Sequence, residues 1–107
     1  MEKVAIVRRA DDGGYVELLR LRVEAKPGED AVEALAVFAN IILAVDYADF
    51  TPGIGAARGW LPVEVGPADL VSICAALVIG YVALPTGPGL GEPGVAPVLE
   101  FADSLAD

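Results

Sequence analysis

Apolar and charged side chains alternate with period two through Leu19, Arg20, Leu21, Arg22, Val23 and Glu24, the spacing of a strand with one face in water. Lys3 to Arg9 is its predicted partner. Between them, Asp11-Asp12-Gly13-Gly14 carries glycines able to take the positive φ that a tight hairpin turn requires. Pro27-Gly28 breaks the second strand. Glu29, Asp30 and Glu33 then set negative charge where a helix amino terminus favours it. From Ala34 to Val45 only Asn40 is polar, so the pattern predicts a helix that is apolar nearly all round and enclosed on most sides. Asp46 and Asp49 bring it back to water.

Thr51-Pro52-Gly53 ends that element. Trp60-Leu61-Pro62-Val63-Glu64-Val65 is a short β-like run interrupted by proline, which cannot donate to a ladder and so belongs on an edge or outside the sheet. An unfinished edge is a docking surface. Gly66-Pro67-Ala68-Asp69 has the form of a helix start, with proline in the first turn and aspartate near the positive end of the dipole. A second buried helix is predicted over Leu70 to Leu84, with a strand from Ala76 to Leu84 as the alternative reading of its Val, Ile and Gly80 content. Pro85 stops either. Pro85 to Pro97 reads as a rigid, turn-rich linker, and Val98 to Ala106 as a short closing helix with Leu99, Ala102 and Leu105 near one face. These elements describe an α+β fold in one domain spanning residues 1–107. Its plan is an N-terminal antiparallel β-hairpin, with a possible third edge strand, packed on two apolar helices and a short C-terminal helix.

Hydrophobic residues make up 55% of the chain, above the roughly 45–50% of soluble globular proteins, so disorder is excluded as the general state. Leu70 to Gly91 runs twenty-two residues without a charge. The net charge of −9 is unevenly spread: residues 1 to 26 hold six basic and five acidic groups, and the remainder one basic and eleven acidic. Too few cations are left to displace phosphate counterions, which argues against nucleic-acid binding, and a basic partner is electrostatically preferred. The start, Met1-Glu2-Lys3, lacks the charged-then-apolar layout of a secretory signal, so a cytoplasmic location is expected.

Histidine is absent and Cys74 is the only cysteine. Nucleophilic mechanisms that rely on an imidazole base therefore find no activator for Ser72, Ser104 or Cys74, and no common zinc site can form. Cys74, among apolar neighbours, reads as a small buried hydrophobe. Gly89-Leu90-Gly91-Glu92-Pro93-Gly94 matches the glycine pattern of dinucleotide sites. Glu92 would repel a pyrophosphate and Pro93 removes an amide donor, so it reads as a connector. Asp46 and Asp49, three apart on one helical face, with Glu64 and Asp69, are the only candidates for hard-metal or acid–base chemistry, and a solvated helix end accounts for them more simply. No catalytic residue, metal, cofactor or small-molecule ligand is expected.

What remains is association. Arg58, Trp60, Leu61, Val63 and Val65 are the interface candidates, because tryptophan and arginine concentrate at the energetic centres of interfaces; Trp60 serves equally well as a cap on the domain's own core. The expected function is that of a non-catalytic assembly or adaptor subunit working through apolar helix faces and a sheet edge. Its partner is itself, as a homo-oligomer, or another protein. The alternatives are a membrane-embedded helical hairpin, a carboxylate-dependent enzyme and an acidic inhibitor. The apolar stretches are short for a bilayer, about 18 and 22 Å as helices against a hydrocarbon core near 30 Å.

Overall fold

A computed structural model describes residues 3–10, 16–24, 26–51, 54, 58–85 and 93–106. Their order is β1 (Val4–Ala10), β2 (Val16–Leu18), β3 (Arg20–Val23), β4 (Val32–Ala36), α1 (Ile41–Phe50), β5 (Trp60–Val65), α2 (Pro67–Ala76), β6 (Tyr81–Leu84), β7 (Gly94–Pro97) and α3 (Val98–Ala106). The strands form a three-stranded sheet, β2-β1-β5, and a four-stranded sheet, β3-β4-β6-β7, in which only the β4–β6 pair is parallel. The fold class is α+β, with a β1–β2 hairpin and with β5 at an edge; the hairpin partner of β1 is Val16–Leu18, and the alternating run expected to pair with Lys3–Arg9 instead forms β3 and pairs with β4.

The two sheets are joined at a corner made by one residue. The N–H of Leu19 donates to the Val7 carbonyl at 2.9 Å, and its own carbonyl accepts from Ala36 at 3.0 Å. In a regular strand both groups of a residue face the same neighbour. Here one serves β1 and the other β4, so the run from Val16 to Val23 passes from one sheet to the other, as corner strands do. Ala5 and Phe38 close the junction with two reciprocal bonds of 2.8 Å.

This corner explains why Val4–Val7 of β1 and Ala34–Ala36 of β4 are apolar without alternation: each stretch is covered on both faces. Val4 and Ile6 of β1 join Leu35, Val37, Val65, Val82, Leu70 and Cys74 in a core closed by α2 and α3. Ala5 and Val7 point the other way, into a second core with Leu19, Ala36, Phe38 and Ala44 of α1. Ala44 and Ala48 are both buried, and small side chains one turn apart let the helix axis approach the sheet closely. Phe38 and Tyr47 meet with ring centroids 5.2 Å apart at 50°, near the edge-to-face geometry aromatic rings prefer.

Several boundaries differ from the sequence reading. Ala34 to Val45 is not one helix: Ala34 to Ala36 belong to β4, and α1 begins at Ile41. An apolar run without polar interruptions fits a strand covered on both faces as well as a buried helix, and periodicity does not separate the two. Asn40 marks the boundary, its side-chain Oδ1 accepting the Leu43 N–H at 2.9 Å as an N-cap. The predicted helix over Leu70 to Leu84 stops at Ala76, and Tyr81–Leu84 is strand β6, close to the alternative reading of that stretch. Gly66 and Pro67 do open α2, as cap and first residue, and α3 spans Val98–Ala106 as expected, although its buried face is Val98, Ala102 and Leu105 and Leu99 points to solvent. Of the predicted linker, Gly94–Pro97 is strand β7, paired with β6, because its alternating Val95 can lie over Ala83. The Asp11–Gly14 turn, Pro52-Gly53 and most of the Gly89–Gly94 motif lie outside the described residues.

Candidate interaction site

No helix among the described residues is long and apolar enough to cross a membrane; the three run nine or ten residues. Nor do three or more His, Cys, Asp or Glu side chains gather among them. Asp46 and Asp49 lie exposed on α1, and Glu64 and Asp69 are exposed on β5 and α2. Ser104 donates to the Phe101 carbonyl at 2.7 Å, a local bond within its own helix. Cys74 is 1% exposed, and burial raises its thiol pKa above the ordinary value; a thiol so placed is held in its neutral form, the opposite of an activated nucleophile.

The five residues expected at an interface are divided by the pleat of β5. Its register with β1 sets Trp60 opposite Arg9, Leu61 opposite Arg8, Val63 opposite Ile6 and Val65 opposite Val4. Val65 is therefore buried in the first core, and Val63 packs half-buried against it. Trp60 lies on the other face, half-buried against the second core, with the Arg9 guanidinium 5.5 Å from its ring centroid. Arg9 also donates to Glu17 at 2.8 Å. Arg58 and Leu61 are exposed. Gly59 makes the turn into β5 at φ 86°, where an added Cβ would come within 3.4 Å of the Arg9 side chain.

The outer edge of β5 is less open to strand addition than its position suggests. Ala5 spends its N–H and C=O on Phe38, and the Val7 carbonyl accepts from Leu19, so both residues turn their polar groups away from β5. The Val7–Pro62 and Ala5–Glu64 pairs are then the non-hydrogen-bonded ones. Trp60, Pro62 and Glu64 consequently aim their backbone groups outward, and the missing N–H of Pro62 falls in the middle of the free edge. A proline there withholds the donor that an incoming strand would need.

Helix α1 carries more exposed apolar surface than the β5 edge. Ala44 and Ala48 take its inner side, with Tyr47 half-buried beside them. On the remaining surface Ile42 is 72% and Phe50 75% exposed, with Ile41, Leu43 and Val45 between 36% and 38%. At 100° per residue, Ile41, Ile42 and Val45 share one flank toward the amino end, while Asp46 and Asp49 stand toward the carboxyl end. The sequence named interface residues around β5 and left the apolar helix faces it invoked without residues, because a helix read from Ala34 gives Ile42 no defined direction. No family model, curated protein or solved structure matches the chain.

Proposed function

We propose that this protein is a non-catalytic assembly subunit that pairs with a second copy of itself through the exposed flank of α1. The supporting observation is the run of large exposed apolar side chains along one flank of a ten-residue helix: Ile41, Ile42 and Val45. Surface apolar residues scattered singly need no explanation, but a cluster on one element marks a contact surface.

A second copy suits this helix because of its charge order. α1 has no acidic residue in its first turn and no basic residue in its last, while Asp46 and Asp49 stand in its carboxyl half, where the macrodipole disfavours them. A two-fold axis midway between Ile41 and Val45 sets Ile41 of each copy against Val45 of the other, antiparallel, with Ile42 beside the axis and Asp46 opposite the other copy's Asn40 cap. The carboxylates of each then lie beyond the axis, beside the positive amino end of the other. The helix is only about 15 Å long, so the pair buries less than a standard interface of about 800 Å² per partner and associates weakly, at micromolar concentrations or above.

Sedimentation equilibrium tests this. A concentration-dependent monomer–dimer equilibrium is expected, with Ile42→Ser weakening association about tenfold or more and leaving the melting temperature nearly unchanged, since Ile42 is exposed. Asp46→Lys weakens it too, by placing a cation at the partner's helix amino end. A protein that stays monomeric at about 200 μM, a concentration at which micromolar pairs are mostly associated, overturns the reading.

A further inference from the structure

A cleft of about 450 Å³ opens where β4 and β6 end side by side. Because these strands are parallel, Val37, Phe38 and Ala39 emerge at the same edge as Leu84 and Pro85. Leu43 of α1 forms one wall and Phe101 and Leu105 of α3 the other, with Lys3 and Val4 completing the rim. The carboxyl ends of neighbouring parallel strands are where open α/β sheets most often hold ligands, and the volume lies within the usual range for small-molecule sites.

The lining is uniform in character. Nine of its ten described lining residues are apolar, and the tenth, Lys3, is the one ionisable side chain among them. The antiparallel Ala5–Phe38 pair runs outward toward Lys3 on one strand and Asn40 on the other, so the cation stands at the mouth rather than the floor. Val37, Phe38, Val4 and Leu105, all below 10% exposed, make the floor. Sugars, nucleobases and polar peptides would lose their hydrogen bonds to water without replacement on such walls.

We propose that this cleft binds a medium-chain aliphatic carboxylate. Its hydrocarbon chain lies against Val37, Leu84, Phe101 and Leu105, and its carboxylate meets the Lys3 ammonium at the rim. A chain of roughly eight to twelve carbons suits a site of this size. Affinity grows with chain length by about fourfold for each methylene buried. This site is separate from the exposed flank of α1, and its test leaves Ile42 unchanged.

Titration of the full chain with decanoate, hexanoate and decanol at physiological ionic strength, below the micellar concentration of the carboxylates and the solubility limit of decanol, followed by NMR, reads both parts of the proposal. Decanoate is expected to bind with shifts at Val37, Leu84 and Phe101, more tightly than hexanoate and about tenfold more tightly than decanol. Lys3→Glu, at an exposed position that no core contact depends on, lowers decanoate affinity about tenfold and leaves decanol unchanged. Ala39→Trp, filling the mouth from an exposed position, weakens both. The proposal is overturned if decanoate fails to bind, if wild type and Lys3→Glu bind it equally, or if the shifts map away from the cleft.

Discussion

The carbonyl of Cys74 accepts the N–H of Ile79 at 2.8 Å, and between them the Ala75 carbonyl accepts from Val78 at 3.2 Å. These two bonds are the paired cap that ends helices through one left-handed residue, ordinarily glycine. Here that residue is Val78, at φ 56°. The left-handed region costs an L-residue roughly 1–2 kcal/mol, and a β-branched one is the least suited to it. The position persists because Ile79, buried at 7% exposure, anchors the turn against Cys74 in the first core. Val78 itself is 92% exposed and has almost no packing to lose. Val78→Gly is expected to raise stability by about 0.5–1 kcal/mol, the strain relieved less the extra entropy of glycine. Urea denaturation measures this as a higher midpoint at constant slope.

Asn40 holds the other decisive boundary. Its side chain accepts the Leu43 N–H at 2.9 Å, satisfying one of the donors that a helix start leaves open. Asn40→Ala should cost about 1 kcal/mol, and Asn40→Asp or Asn40→Ser should restore most of it. Because α1 covers Ala5, Val7 and Phe38, hydrogen exchange at α1 amides is the sensitive readout. An Ala variant whose α1 exchanges no faster than wild type contradicts the cap's role.

These two positions also show how far the fold could be read from the residues. The alternation around Leu21, the proline in β5, the Gly66-Pro67 start of α2 and the closing helix α3 were all legible, since each rests on a local rule. Asn40 was visible as the lone polar residue in an apolar run, but its meaning was not: a strand buried on both faces leaves the same apolar string as a buried helix. The break after Ala76 carried a weaker signal still, because valine occupies the place where glycine would announce a helix end. β4 is covered on both faces only because the corner at Leu19 folds one sheet against the other, a tertiary cause no window of the sequence contains. The directions in which the interface candidates point were hidden for the same reason. The register of β5 on β1, which sets Val65 opposite Val4, turned Val65 inward, and the cleft at the ends of β4 and β6 draws on segments as distant as Lys3 and Leu105.

Arg9 sits between two partners on one sheet face, over the Trp60 ring at 5.5 Å and against Glu17 at 2.8 Å. The ion pair is substantially exposed, with side-chain accessibilities of 38% and 52%, and solvent screening leaves such pairs little net effect. The stacking contact, beside the half-buried tryptophan, is the larger contribution. Arg9→Ala is therefore expected to cost about 1 kcal/mol, and Glu17→Ala less than half of that. Tryptophan fluorescence during denaturation tests the ordering, which equal losses for the two variants would reverse.

Pro62 gives a prediction about association rather than folding. If its absent N–H keeps the outer edge of β5 closed, Pro62→Thr restores an outward donor in a strand that already carries Trp60, Leu61, Val63 and Val65. The stability of the protomer should change by less than about 1 kcal/mol, since no ladder bond to β1 involves that group. Edge-to-edge aggregation should rise instead, seen as faster growth of light scattering on mild heating. Unchanged aggregation in a folded Pro62→Thr protein would show that the edge is protected by something else.

Cys74 makes stability fall on the alkaline side. Burial disfavours its thiolate, so its pKa in the folded protein lies above the ordinary value, while the unfolded chain ionises near about 8.5. Below that pH both states hold the proton and the thiol contributes no pH dependence. As the pH rises past it, the unfolded chain releases a proton that the native protein still holds, which favours unfolding. Stability is lost progressively until the pH passes through the folded pKa. Cys74→Ala removes this titration, although the lost sulfur leaves a small cavity that lowers stability at every pH. The expected signature is therefore a difference in slope: between about pH 8.5 and 10 the wild type loses stability more steeply than Cys74→Ala, with the tyrosines common to both. Parallel curves over that interval would mean that the thiol ionises as readily in the folded protein as in the unfolded chain.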